Sequence, residues 1–278
     1  IMEHGFQGVQ LQFFVYFLVN ALILLFAYPL IYIFEKTFGF LSNVTLLELS
    51  GANNKLIQRF SEEAPGSFQH SLQVSNLAAD AAMKIGANSF LARTGALYHD
   101  IGKLSAPVYF SENQSGGKNP LNDLSYEDAA QKVISHVGDG VKLAQKAGVP
   151  EKIIDFIRSH HGNRQATYFY NSFKNAFPGE PVNEEAFTYK GTLPNTKEMA
   201  IVSMADAVEA ASRSLPEYSE TTINNLVDRI VDGQVADGMF KQTPITFAQL
   251  ETVKNVFKEK LKNIYHSRIS YPELKKEK

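Results

Sequence analysis

The stretch Thr94–Lys103, TGALYHDIGK, decides how the rest of the chain is read. An apolar run with helical spacing ends in His99-Asp100, and Ile101-Gly102-Lys103 follows at once. A histidine beside an aspartate at a helix end is either a packed polar pair or two ligands of one metal ion. The choice turns on whether other parts of the chain supply the missing ligands.

Five more side chains answer it. His70 stands amid Phe68, Leu72 and Val74, and His136 follows Val133 and Ile134. His160-His161 follows Ile153, Ile154 and Ile157, and Asp206 lies within IVSMADAVEA. Polar groups held among this much apolar surface need partners, since burying them unpaired costs roughly 2–7 kcal/mol. Any one of them alone reads as a hydrogen-bonded core or surface residue. Two doublets and three singles, spread over separate predicted helices, read together as a metal centre. The chain has no cysteine, which removes disulfides and thiolate sites. Imidazole and carboxylate suit iron, manganese or zinc. One aspartate can bridge two ions roughly 3.5–4 Å apart that hold a hydroxide between them, which is hydrolytic chemistry without a nucleophilic Ser or Cys.

Around these positions, apolar residues recur at spacings of three and four, and no segment keeps an alternation of period two. The expected fold class is all-α. Pro65-Gly66-Ser67 punctuates the chain, with Ser67 the expected N-cap of the helix carrying His70. Ser125 with Asp128 forms a capping-box pattern, and Pro150 suits a first helical turn. Ser105 to Leu124 and Asn163 to Asn195 read as loops, and loops this long in a compact domain are often functional. With 278 residues, 44% of them hydrophobic, the chain can bury a sizeable core. A net charge of −2 gives no field to recruit DNA or RNA.

The N-terminus is the anomaly. From Gly5 to Phe34 there is no Asp, Glu, Lys or Arg. As a helix, Leu11 to Phe34 would run about 36 Å, against about 30 Å of bilayer hydrocarbon. No basic residue precedes it, so it is expected to be a membrane span rather than a signal peptide. Glu35 and Lys36 cancel, so flanking charge does not set its orientation. A chain that opens at Ile1 on a single span is expected to be a piece of a longer protein, with this span the last of several.

The motifs HS at His70, HDIGK at His99, ISHV around His136, HHG at His160 and MADAVEAASR around Asp206 resemble the HD phosphohydrolase superfamily. APGSFQHS, ENQ with NP, YFY at Tyr168–Tyr170 and the terminal YHSRISYP are similar to its seven-transmembrane, PgpH-type branch of bacterial cyclic-di-AMP phosphodiesterases. That resemblance implies one metal held by His70, His99, Asp100 and Asp206. It implies a second held by His136, His160 and His161, with Asp100 bridging and iron or manganese as the pair. It also implies cleavage of cyclic-di-AMP to linear pApA by a hydroxide shared between the metals, in a catalytic domain facing the cytoplasm from the bacterial cell membrane. The glycine-tyrosine-proline signature of cyclic-di-GMP relatives is replaced by Gly162-Asn163-Arg164-Gln165, and Leu121 stands where the branch often carries histidine.

The expected layout is a membrane helix over 1–34, a helical connector over 35–64, the HD domain over 65–272 and a tail over 273–278. Self-association into a homo-oligomer is left open. Lys103 either completes a helix dipole or places a cation on the scissile phosphate or its leaving oxygen. Arg213, seven residues after Asp206, either contacts phosphate or pairs with a nearby acid. Tyr168, Phe169, Tyr170 and Tyr189 either stack on adenine or pack their loop. His4 and His266 fit no motif and are read as non-ligands. The competing functions are hydrolysis of another phosphorylated nucleotide, such as guanosine tetraphosphate, and a catalytically silent nucleotide-sensing module.

Overall fold

The structure, a computed structural model, describes residues 11–114, 116 and 119–265, apart from the Tyr28 side chain. His4, His266, the motif residues from His266 onward and the tail over 273–278 lie outside the described residues. No strand occurs among the described residues; one isolated bridge joins Gln165 to Thr188. The fold is all-α.

The chain divides into two units, one ending at Leu46 and the other beginning at Leu47. The first contains α1 (Leu11–Leu25) and α2 (Ala27–Phe38), and α3 (Asn43–Ser50) begins in it. Sequence reading expects one unbroken span over Leu11 to Phe34, and the structure interrupts it at Phe26. The cause is Pro29, whose missing N–H leaves the Leu25 carbonyl without its helical donor. Leu11–Phe38 is still long and apolar enough, over 28 residues, to cross a membrane by length and composition. Its apolar side chains, Phe14, Phe17, Ile23 and Leu24 among them, are exposed within the unit. At its end the Glu35 carboxylate accepts the Thr45 hydroxyl at 2.8 Å, and Gly39 turns the chain at φ +65°.

The second unit contains α4 (Lys55–Glu63), α5 (Pro65–Lys84), α6 (Ser89–Tyr98), α7 (Tyr126–Lys146), α8 (Glu151–Ser159), α9 (Thr167–Ala176), α10 (Lys197–Ser212), α11 (Glu220–Ala236) and α12 (Phe247–Tyr265). Helix α10 is the axial element, with Ile201, Val202, Met204, Ala205 and Val208 fully buried. It packs on Val74, Leu77, Ala78 and Ala81 of α5 and on the buried faces of α11 and α12. Alanines on α5, α6 and α10 let these backbones approach closely, while each fully buried Ile, Val or Leu contributes roughly 1.5–3 kcal/mol. Asp206 of α10 and His70 of α5 therefore project from helices packed into this core.

Local expectations need three corrections. Ser67 is not the N-cap: α5 starts at Pro65, whose fixed φ suits the first helical position, and Ser67 falls inside the first turn. Pro150 is the N-cap residue of α8, one position ahead of the first turn. Asn163 to Asn195 is not all loop, because it folds into α9 and a short 3-10 turn at Glu184–Phe187. Tyr170 and Phe173 have helical spacing, and their burial with Phe187 and Tyr189 against Ala130 of α7 outweighs the glycine and prolines around them. Ser125 does cap α7, accepting from the Asp128 N–H at 3.1 Å.

Candidate metal centre

The seven ligand candidates come from five elements and converge. His70 lies one turn into α5, His136 sits midway along α7, and Asp206 sits midway along α10. The doublets occupy helix ends: His99 is the C-cap residue of α6 and His160 that of α8, each followed by its partner. Ending a helix at a doublet turns two consecutive side chains toward one point. A 3-10 turn, Ile101–Ser105, then carries the chain against α7. Gly102 makes this approach, since a Cβ there would collide with the His136 carbonyl and Gly140.

Asp100 is the hub. Its Oδ2 lies 3.6 Å from His70 Nε2 and 3.5 Å from His99 Nε2. Its Oδ1 lies 3.4 Å from His136 Nε2 and 3.8 Å from His160 Nε2. Each oxygen addresses a different histidine group. Asp206 Oδ1 sits 3.0 Å from His70 Nε2 and 3.6 Å from His99 Nε2, and its Oδ2 is 3.9 Å from His161 Nδ1. Two sets of donor atoms gather closely enough to hold an ion each: His70 with His99 and Asp100, and His136 with His160 and His161.

Hydrogen bonding fixes how the imidazoles face. The Nδ1–H groups of His99, His136 and His160 donate to the carbonyls of Ala96, Val133 and Ile157, at 2.6, 2.6 and 2.9 Å. A carbonyl only accepts, so each Nε2 is left with a bare lone pair aimed inward. His99 Nε2 is buried and makes no hydrogen bond. His136 Nε2 and His160 Nε2 face each other at 3.2 Å. Two facing lone pairs repel unless a cation lies within reach of both. Nitrogens about 2.1 Å from one ion and at right angles are about 3 Å apart, so the donor set fits a metal. His70 is oriented differently, by a short Nδ1 contact to Glu209. Glu209 is itself held by Arg213, whose Nε and Nη2 donate to Oε1 at 2.9 and 2.6 Å.

The charges follow from burial and neighbours. Burial alone would raise Asp100, but Lys103 and the surrounding imidazoles hold it well below the carboxylate range. Burial also opposes ionisation of Asp206, and its hydrogen bond with His70, together with the neighbouring His99 and His161, overcomes it. Both remain anionic. Burial works against a charged His70, yet its bonds to Asp206 and Glu209 lift it to about 9. Burial lowers His136 and takes His160 well below 6.5, leaving both neutral and ready to coordinate. It lowers His161 too, whose side chain keeps a 30% exposed edge toward the cavity.

A cavity of about 1570 Å³ opens over the cluster. Its floor includes His70, Asp100, His160 and Asp206, and its walls include Arg164, Tyr168, Phe173 and Arg213. Single-ligand pockets span roughly 300–1,000 Å³, so there is room for an extended dinucleotide. Lys103 does not project freely into it: Nζ lies 2.7 Å from Asp100 Oδ2, 2.7 Å from Glu112 Oε1, and 5.0 Å from the centre of the Phe110 ring. Arg213 pairs with an acid, Glu209, while still lining the cavity. Tyr168 stands exposed on the rim, whereas Tyr189 is buried with its ring 4.2 Å from that of His161. Sequence reasoning missed Glu209 and Glu112. Glu209 had a signal, three residues after Asp206 on one helix; Glu112 had none beyond lying in ENQ.

This geometry gathers two His/Asp groups able to hold metal on a helical bundle, and the chain belongs to the HD domain family, whose model matches residues 67–211. All seven ligand candidates fall inside that match. The chain is 41% identical over 243 residues to the cyclic-di-AMP phosphodiesterase PgpH of Bacillus subtilis (strain 168), covering 87% of this chain and 34% of the relative. It is 40% identical over 241 residues to the protein of the same name from Listeria monocytogenes serotype 1/2a (strain 10403S), covering 87% and 33%. The chain thus spans about a third of the length of these relatives. The crystal structure of the L. monocytogenes PgpH HD domain in complex with cyclic-di-AMP superimposes with a TM-score of 0.74 at 39% identity, covering 77% of this chain and all of that one.

Proposed function

We propose that this chain is the catalytic portion of a membrane-anchored phosphodiesterase that hydrolyses cyclic-di-AMP to pApA. The observation that carries the reading is the placement of Asp100, with one oxygen toward His70 and His99 and the other toward His136 and His160. The likeness to PgpH proteins and to a domain crystallised with cyclic-di-AMP supports the substrate.

In this reading His70, His99, Asp100 and Asp206 would hold one divalent cation, and His136, His160 and His161 would hold the second, with Asp100 common to both groups. An all-nitrogen-and-oxygen donor set suits iron, manganese or zinc, and the family resemblance favours iron or manganese. Such a pair supplies a hydroxide nucleophile at neutral pH and charge stabilisation at the phosphoryl oxygens. Water adds to phosphorus, the P–O3′ bond breaks with a proton passing to O3′, and the single linear product, pApA, carries a 5′-phosphate and a 3′-hydroxyl. The protein's own part is preorganisation. Backbone carbonyls fix three imidazoles, Glu209 fixes the fourth, and Lys103 orients Asp100. Arg213 sits where its outer edge can meet a second phosphate, and Tyr168 offers a stacking face to adenine. Tyr189 buttresses His161.

The apolar segment over 1–34 anchors the domain to the bacterial cell membrane, with residues 35–64 as connector, 65–272 as the catalytic domain and 273–278 as a tail. The domain faces the cytoplasm, where the cyclic dinucleotide occurs. The test is hydrolysis of cyclic-di-AMP by the manganese-loaded chain and its Asp100→Ala variant, alongside cyclic-di-GMP and guanosine tetraphosphate. Cyclic-di-AMP turnover by the parent alone, with pApA as product, is expected. Retained turnover in Asp100→Ala removes the bridging role, and binding without turnover by the parent favours a silent sensor.

A further inference from the structure

The turn Glu112-Asn113-Gln114 contributes nothing to the ligand set, yet it touches both ends of it. Glu112 Oε1 accepts from Lys103 Nζ at 2.7 Å and from Ser67 Oγ at 2.8 Å. Asn113 Oδ1 accepts the Ser67 backbone N–H at 3.0 Å, and its Nδ2 donates to Ser67 Oγ at 2.8 Å. Helix α5 has no side-chain cap of its own, since its N-cap residue is Ala64. Asn113 satisfies one of the amides orphaned at that end, from 46 residues along the chain. Only glycine admits this docking: a Cβ on Gly66 would collide with the Glu112 carbonyl. One turn onward from Ser67 lies His70.

We propose that Glu112 is a positioning residue for the hydrolysis, holding the Lys103 ammonium against Asp100 and tying that contact to the first turn of the helix that carries His70. The proposal rests on the phosphodiesterase reading. A lysine side chain has four rotatable bonds and gives no directional fork of its own, so it orients a carboxylate only when its head is pinned. Here Nζ is held between Asp100 Oδ2, Glu112 Oε1 and the Phe110 face. Phe110 also meets His136 edge-on, with ring centres 5.9 Å apart. Phe110 and Glu112 therefore brace both histidine groups, and the effect of Glu112 on the reaction passes through Lys103.

The test is a double-mutant cycle in the full manganese-loaded chain, with Glu112→Gln and Lys103→Met. Outer partners of metal ligands typically carry 10–100-fold effects. Glu112→Gln is expected to lower kcat for cyclic-di-AMP about tenfold, with KM within about twofold and manganese content unchanged. The double variant is expected to be no slower than Lys103→Met alone, because Glu112 acts through Lys103. In protein labelled with 15N-lysine, a protected Nζ–H signal absent from Lys103→Met is expected to vanish in Glu112→Gln as well. Unchanged kcat in Glu112→Gln, losses that multiply in the double variant, or a persisting Nζ–H signal would overturn the proposal. A parent that fails to cleave cyclic-di-AMP sinks the phosphodiesterase reading instead, and the Nζ–H signal still decides whether Glu112 pins Lys103.

Discussion

Replacing Glu209 by Gln keeps the size and an acceptor but removes the charge beside His70. In the metal-free protein His70 lies between Glu209 on Nδ1 and Asp206 on Nε2, the latter at 3.0 Å. Burial disfavours the imidazolium, yet the bonds to Asp206 and Glu209 outweigh it and lift His70 from 6.5 to about 9. At about 1.36 kcal/mol per pH unit, that rise is worth roughly 3 kcal/mol. The sign follows from the direction: with the folded value raised, the stabilisation is full below pH 6.5 and is lost as pH rises through about 9. Glu209 supplies one of the two hydrogen bonds that raise His70, beside the charges of Asp206 and Asp100, so its loss costs on the order of 1–2 kcal/mol. For a domain of this size that lowers Tm by about 2–8 °C. Thermal unfolding of the chelator-treated parent and Glu209→Gln at pH 6 and pH 9.5 reads it. The expected gap is large at pH 6 and nearly closed at pH 9.5. Equal gaps at the two values, or none at pH 6, would refute a charged His70 held by Glu209.

The other predictions concern packing, protons and substrate. Gly102→Ala drives a Cβ into the backbone of α7; urea unfolding should show a loss of about 1–3 kcal/mol, and metal analysis a weakened site at His136. Metal uptake should expel a proton from His70 at pH 7, and calorimetry in buffers of differing ionisation enthalpy should find that contribution about halved near pH 9. Tyr168→Ala, on the exposed rim, should raise KM about 5–10-fold and leave kcat unchanged, in line with the weaker end of base stacking.

The convergence of the seven candidate side chains was legible because they break an apolar pattern. A histidine among isoleucines or valines is conspicuous along the chain, and helical spacing places each on a buried face. The helices were legible for the same reason of period. What escaped depends on contacts between distant segments. Ser67 carries N-cap chemistry, but its partners are Glu112 and Asn113, which no local pattern connects to it. Lys103 read either as a lysine completing a helix dipole or as a cation on phosphate; only the fold brings Glu112 and Phe110 around it. Helix α9 was hidden because Gly and Pro content was weighed over the spacing of Tyr170 and Phe173, whose packing on Phe187 forms only once the domain has folded. Pro29 was visible, but whether it would bend or interrupt the apolar helix depends on its surroundings.

The central claim is that Asp100 sits between two cations. Anomalous diffraction from crystals of the manganese-loaded chain tests it directly. The account predicts two peaks per chain, one beside His70, His99 and Asp206 and the other beside His136, His160 and His161, with an Asp100 oxygen on each. A single peak, or peaks lying away from Asp100, would contradict it.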